Sequence, residues 1–184
     1  QIEEFAAQYR AYFEENGDDS LQILDQAPRF AIWRDTGSIA FGNSLKECGI
    51  ITDIARHTRW AVQTGESLGG WQALPARDNF ELEYWVLEQA KLGKASGPGK
   101  PHQGKIAIVT GACSGIGRAT CEALQDDGAV VVGLDINPDT PGELAGQGMR
   151  GIVCDLTDDA AVKAAVDDVV AYFGGLDIVV CNAG

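Results

Sequence analysis

The sequence predicts an α/β protein: the N-terminal half of a doubly wound parallel sheet over residues 105–184, preceded by a small α+β segment over residues 1–92. Three observations predict it. From Lys105 onward, β-branched apolar runs alternate with helix-patterned runs, as expected for parallel strands covered by helices on both faces. The run Ile106–Val109 stops at Thr110, and Gly111, Gly115 and Gly117 follow before a helical pattern begins, which reads as a strand, a tight turn and a helix start. Residues 93–104 (GKASGPGKPHQG) carry almost no apolar side chain and read as a linker between the two parts.

In chain order, Ile2, Phe5, Ala6, Tyr9, Tyr12 and Phe13 recur at helical spacing, predicting an amphipathic helix over 2–15 closed by Asn16-Gly17. Residues 29–34 and 38–41 flank Asp35-Thr36-Gly37 and predict a β-hairpin. Ser44-Leu-Lys-Glu47 has the form of a capping box, and Leu45, Cys48, Ile51, Ile54, Ala55 and Val62 carry a helical stripe to about Thr64. Asp78-Asn-Phe-Glu81 opens a further helix through Leu92. Its residues Phe80, Leu82, Tyr84, Trp85, Val86 and Leu87 cover more than one face, which suggests burial between neighbours, as core or subunit contact.

The second part predicts strands over 105–110, 129–135, 151–154 and 177–181, with helices over 115–127 and 158–173 and a loop rich in Pro, Gly and Asp after the second strand. Right-handed crossovers join parallel strands. If the strand order is 3-2-1-4, the fourth strand lies beside the first, and Gly111 faces Asn182 across one crevice. The chain stops at Gly184 where a further helix would be expected.

Composition narrows the function. Apolar residues make up 45% of the 184, ample for a core, while the net charge of -13 disfavours nucleic acid or an anionic membrane as partner. No apolar run approaches the roughly 20 residues of a bilayer span, and residues 1–10 do not resemble a signal peptide; the expected compartment is the cytoplasm. Five cysteines without a C-x-x-C pair read as reduced, buried thiols. For Cys113 the alternative is a reactive thiol, since a helix N-terminus would lower its pKa. His102 falls in the linker and His57 on a helix without ligand-spaced companions, so no metal site is expected.

The glycine turn is suited to a pyrophosphate: glycine admits positive φ and close backbone approach, and the helix start offers unpaired N–H groups. Thr110, Gly111, Cys113, Ser114, Gly115, Ile116 and Gly117 are its candidate cofactor contacts. Asp135 ends the second strand 18 residues after Gly117. A carboxylate there accepts both hydroxyls of an adenosine ribose and repels a 2′-phosphate, so NAD(H) is favoured over NADP(H); a plain strand-ending loop residue is the alternative. Ile136 lies next to it. Cys154-Asp155-Leu156 follows the third strand, where Asp155 is placed to accept from an adenine amine or, alternatively, is only a turn residue, and Thr157 is a candidate helix cap. Asn182, Ala183 and Gly184 complete the crevice.

These residues resemble the short-chain dehydrogenase/reductase family. Thr110–Gly117 (TGACSGIG) is similar to its T-G-x-x-x-G-x-G cofactor motif, Asp155–Thr157 to its D-[VL]-T motif, and Cys181–Gly184 (CNAG) to its N-N-A-G, with Cys181 as a departure. The resemblance implies a Rossmann fold, a nicotinamide dinucleotide and a homo-oligomer. It also implies a catalytic Ser and Tyr-x-x-x-Lys beyond the N-A-G, which these 184 residues do not reach, so no catalytic residue is assigned. Residues 28–33, 55–58 and 72–92 resemble the end of the aldolase half of bifunctional class II aldolase/short-chain dehydrogenases of the rhamnulose-1-phosphate aldolase/alcohol dehydrogenase type. The expected function is therefore the cofactor-binding part of an oxidoreductase acting on a small alcohol or aldehyde from sugar catabolism, within a longer bifunctional enzyme and inactive by itself. The alternative is a non-catalytic dinucleotide sensor or scaffold.

Overall fold

The computed structural model describes residues 1–92 and 99–184, with backbone alone at 88, 91 and 92; residues 93–98 of the expected linker lie outside the described residues. The chain divides into two compact units, the first running from Gln1 to Gly42 and on from Lys46, the second comprising Asn43–Leu45 and Gly99–Gly184.

In the first unit, helix α1 (Ile2–Asn16) ends at Gly17, whose N–H bonds to the Phe13 carbonyl. The hairpin pairs β1 (Phe30–Trp33) with β2 (Gly37–Ala40), Phe30 opposite Ala40. Asp35 takes φ 60 in its turn, a left-handed conformation that Asp tolerates because its short side chain can bond locally. Helix α2 (Leu45–Ser67) runs slightly past the expected end.

The single helix expected to end at Leu92 is instead two, α3 (Ala76–Glu83) and α4 (Val86–Leu92), with α3 capped by Pro75 rather than opened by Asp78. Tertiary packing breaks the pattern at Tyr84. Its ring stacks on Phe80 at 4.3 Å, and its hydroxyl bonds to the Tyr9 hydroxyl (2.8 Å) and accepts from the Leu24 N–H (3.3 Å). Held from three sides, Tyr84 leaves helical geometry at φ -101, ψ 20. The broad apolar face is only partly buried: Phe80 and Tyr84 are covered, whereas Leu82, Trp85, Val86 and Leu87 are exposed. Tyr9 donates to Glu83 at 2.6 Å, and burial together with that carboxylate pushes its phenol well above the usual range. A groove of about 1140 Å³, lined by Trp33, Arg34, Ile54 and Arg59 among others, lies between the hairpin and α2.

The second unit is a four-stranded sheet flanked by helices. In chain order it contains β3 (Ile106–Thr110), α5 (Gly115–Asp126), β4 (Val130–Asp135), α6 (Thr140–Ala145), β5 (Arg150–Val153), α7 (Asp159–Phe173) and β6 (Ile178–Val180). All strand pairs are parallel and the order is β5-β4-β3-β6, which is the expected 3-2-1-4. Alternate residues feed two cores. Ala107, Val109 and Val131 pack with Cys121 of α5 and Leu144 of α6; Ile108, Val132 and Leu134 pack with Ala165 and Val169 of α7.

Helix α6 falls in what the Pro- and Gly-rich pattern suggested was loop. Proline is tolerated in a first turn because its missing N–H would be unpaired there, and Leu144 is fully buried. Two glycines make room for it: a Cβ on Gly133 would meet Leu144 and lie 2.5 Å from the Ala112 Cβ, and one on Gly151 would lie 2.7 Å from the Thr140 carbonyl carbon. The cap of α7 is Asp158, not Thr157. Its carboxylate accepts from Ala160 and Ala161, while the Thr157 N–H and hydroxyl both turn back to Asp155.

At the N-terminal edge of the sheet, Asp177 joins β6 to β3. One carboxylate oxygen accepts from the Ile106 N–H (2.9 Å) and the other from the Lys105 ammonium (3.2 Å). Those two donors, the backbone N–H first, hold its carboxyl below the usual range. All five cysteines are free, but only Cys121 and Cys154 are buried; Cys181 is exposed because β6 ends at Val180, one residue before it.

Candidate functional site

The C-terminal ends of β3, β4 and β6 converge on the glycine turn. Gly111 (φ 67) and Gly115 (φ 50) occupy the left-handed region, where a side chain would be strained. Gly117 needs its missing side chain for a different reason: a Cβ there would fall on the Gly111 carbonyl and 2.6 Å from Asn182 Nδ2. Helix α5 therefore starts tight against the turn. Its cap, Ser114, makes no side-chain capping bond, and its first turn holds no acid, so the first turn itself offers N–H groups to an anion.

Thr110 locks the crevice from below. Its hydroxyl accepts from the Asn182 N–H (2.9 Å) and the Ala183 N–H (3.0 Å), and its carbonyl accepts from Asn182 Nδ2 (3.0 Å). A Cβ on Gly111 would lie 2.9 Å from Asn182 Nδ2, so the two residues do face each other as the strand order requires. The Asn182 amide is thus committed to fixing the end of β6 against the glycine turn.

Asp135 stands at the end of β4 beside the turn. One carboxylate oxygen accepts from the Cys113 N–H at 2.9 Å and the other from the Asn137 N–H at 3.1 Å. Each oxygen has a second lone pair, so acceptor capacity remains for two hydroxyls. Ile136 next to it and Ile116 on α5 are exposed, as residues offering apolar cover to a planar ligand would be. Asp155 lies two residues beyond β5. The Thr157 hydroxyl, with the Thr157 N–H, holds its carboxyl below the usual range, so it is an anionic acceptor at neutral pH. Cys154 is buried under the sheet, and Leu156 is partly buried against the α7-side core.

The surroundings of Cys113 do not favour the reactive-thiol alternative. Desolvation, with the Asp135 and Glu143 carboxylates adding to it and the Thr140 hydroxyl opposing it, pushes its pKa up. Its sulfur instead lies 3.1 Å from the Thr140 hydroxyl. Nothing in the sequence singles out Thr140, which falls in the stretch expected to be loop.

A dinucleotide fits what is present. The turn supplies glycines in the left-handed region or in close contact with neighbouring backbone, a helix start whose cap makes no side-chain bond, and a carboxylate at the end of the neighbouring strand. Among the described residues no group of three or more His, Cys, Asp or Glu is arranged to hold a metal ion, and no helix is long and apolar enough to cross a membrane.

Comparison with known proteins places both parts. Residues 1–92 match the family model "Aldolase class II, second domain", and residues 105–184 match "short chain dehydrogenase". An uncharacterized oxidoreductase of Bacillus subtilis, YuxG, is 30% identical over 191 residues, which take in all of this chain and 28% of the relative. D-threitol dehydrogenase of Mycolicibacterium smegmatis is 45% identical over 87 residues, covering 44% of this chain and 34% of that enzyme. The ligand-free aldohexose dehydrogenase of Thermoplasma acidophilum is 38% identical, with a TM-score of 0.39, over 44% of this chain and 29% of that one. The chain thus spans about a third or less of the length of these relatives. Residues 1–92 belong to the class II aldolase second-domain family, and residues 105–184, in the same chain, belong to the short-chain dehydrogenase family.

Proposed function

We propose that residues 105–184 bind NAD(H) as the cofactor-binding part of a short-chain oxidoreductase. The observation that carries this reading is the Asp135 carboxylate, held against the glycine turn by the Cys113 N–H with lone pairs to spare. In this reading the Gly111–Gly117 turn and the start of α5 take the pyrophosphate, Asp135 takes the ribose hydroxyls, Asp155 takes the adenine amine with Ile136 and Leu156 beside it, and Asn182–Gly184 close the crevice. The chemistry the cofactor supplies when bound is hydride acceptance. The chain's own part is to orient it and to exclude a 2′-phosphate by charge repulsion.

The pairing of the two families in one chain supports a substrate class: a small alcohol or aldehyde released by aldol cleavage of a sugar, oxidised by a longer bifunctional protein that works as a homo-oligomer in a reducing compartment. We assign the general acid/base to residues outside these 184, so the chain by itself binds without turnover. Calorimetric titration with NAD and NADP tests the cofactor reading. NAD should bind more tightly, and Asp135→Ala should remove the preference, by roughly tenfold for loss of a charge-based discrimination of about 1.4 kcal/mol. Equal affinities in the unsubstituted chain would overturn it.

A further inference from the structure

The carboxylate at Asp135 belongs to a closed ring of contacts that reaches beyond the cofactor motif. Cys113 N–H donates to one Asp135 oxygen (2.9 Å), and Asn137 N–H to the other (3.1 Å). The Asn137 carbonyl accepts from the Thr140 hydroxyl (2.5 Å), and that hydroxyl meets the Cys113 sulfur at 3.1 Å. The ring begins and ends on the glycine turn. Thr140 is the member buried out of reach of any ligand, at 0% exposure. Its main chain sits in the notch left by Gly151, where even a Cβ would lie 2.7 Å from its carbonyl carbon.

We propose that Thr140 is a positioning residue for cofactor discrimination: acting through Asn137 and Cys113, it fixes the Asp135 carboxylate relative to the glycine turn. This rests on the assignment of Asp135 to the ribose. The physical basis is that a carboxylate discriminates between a hydroxyl pair and a 2′-phosphate only if it is held in place. A carboxylate free to swing toward solvent attracts the former less and repels the latter less. Thr140 is itself fully buried and meets the turn at the Cys113 sulfur, so its effect on affinity arises through the ring.

The test compares Thr140→Val and Thr140→Ser with the unsubstituted chain in calorimetric titrations with NADH and with NADPH. Valine keeps the volume and removes the hydroxyl; serine keeps the hydroxyl. The expected result is a NADH:NADPH affinity ratio lowered by about two- to tenfold in Thr140→Val, the range of one hydrogen bond, and retained in Thr140→Ser. A merely structural role would weaken both cofactors alike and leave the ratio unchanged, which would overturn the proposal. If Thr140→Val does not fold, the decision passes to Cys113→Ala, which removes the thiol arm from a half-buried position; its ratio must fall, and an unchanged ratio overturns the proposal. Failure of the Asp135 assignment is separately visible, because the unsubstituted chain would then show no preference for NADH.

Discussion

Replacing Thr110 by valine removes one oxygen and almost no volume, and the structure says what that oxygen does. It accepts from two backbone donors, Asn182 N–H at 2.9 Å and Ala183 N–H at 3.0 Å, while its own proton is directed at the Val180 carbonyl at 3.4 Å. Valine leaves both donors without a partner. An unsatisfied buried donor costs about 1–3 kcal/mol; the two N–H groups here are only partly buried, so the lower end applies and the sum is about 2–3 kcal/mol. The long third bond contributes little. Urea unfolding followed by circular dichroism should show a lower midpoint at unchanged slope, which marks a true stability change. Thr110→Ser is the control: it keeps the acceptor, loses a methyl and should cost about 1 kcal/mol. A Thr110→Val chain within about 0.5 kcal/mol of the unsubstituted one would refute the reasoning, because water would then be serving both donors and the clasp between β3 and β6 would not depend on the hydroxyl.

Two further predictions concern the turn and the sheet edge. Gly117→Ala forces a methyl onto the Gly111 carbonyl, an overpacking of about 1–3 kcal/mol or more, with NADH binding weakened at least about tenfold in calorimetry. Gly142→Ala, with nothing within 4 Å of the new Cβ, should leave both properties unchanged or stabilise the chain slightly; equal effects of the two substitutions would contradict the packing argument. Asp177 has a depressed carboxyl pKa in the folded chain, so its contribution to stability is present above the unfolded value near ~3.9 and is lost as pH falls through the lower folded value. The acid limb of a plot of urea midpoint against pH should therefore be shallower in Asp177→Asn, and an unchanged limb would rule out the assigned role.

The second unit was readable from sequence because its central strands, β3 and β4, are largely buried. Val131, Val132 and Leu134 have one environment available to them, and an apolar, β-branched run states it directly. The glycine turn was readable for a related reason, since Gly111 and Gly117 leave no room for any other residue. What could not be read depended on residues distant in the chain. Helix α6 exists because Gly133 and Gly151 leave notches for it, and nothing near Thr140-Pro141 reveals those notches. Tyr84 breaks a locally sound helical pattern because Tyr9 and Leu24, 75 and 60 residues away, hold its hydroxyl. Thr140 carries no local signal of its place for the same reason: its contact with Cys113, 27 residues away, exists only in the folded chain.

The clasps at the two ends of β3 and β6 bear on how this sheet assembles. These strands are about 70 residues apart in sequence and share a register of only three residue pairs, Ala107–Ile178, Ile108–Val179 and Val109–Val180. Closing so long a loop costs entropy before any pair forms, and so short a ladder tolerates a slip of register unless something forbids it. Asp177 at one end and Thr110 with Asn182 at the other act as two pins through the same pair of strands. A slip by one residue would pull both pins at once, so the alignment of the crevice is decided at the sheet's margins, by a carboxylate and a hydroxyl, more than by the three apolar pairs between them.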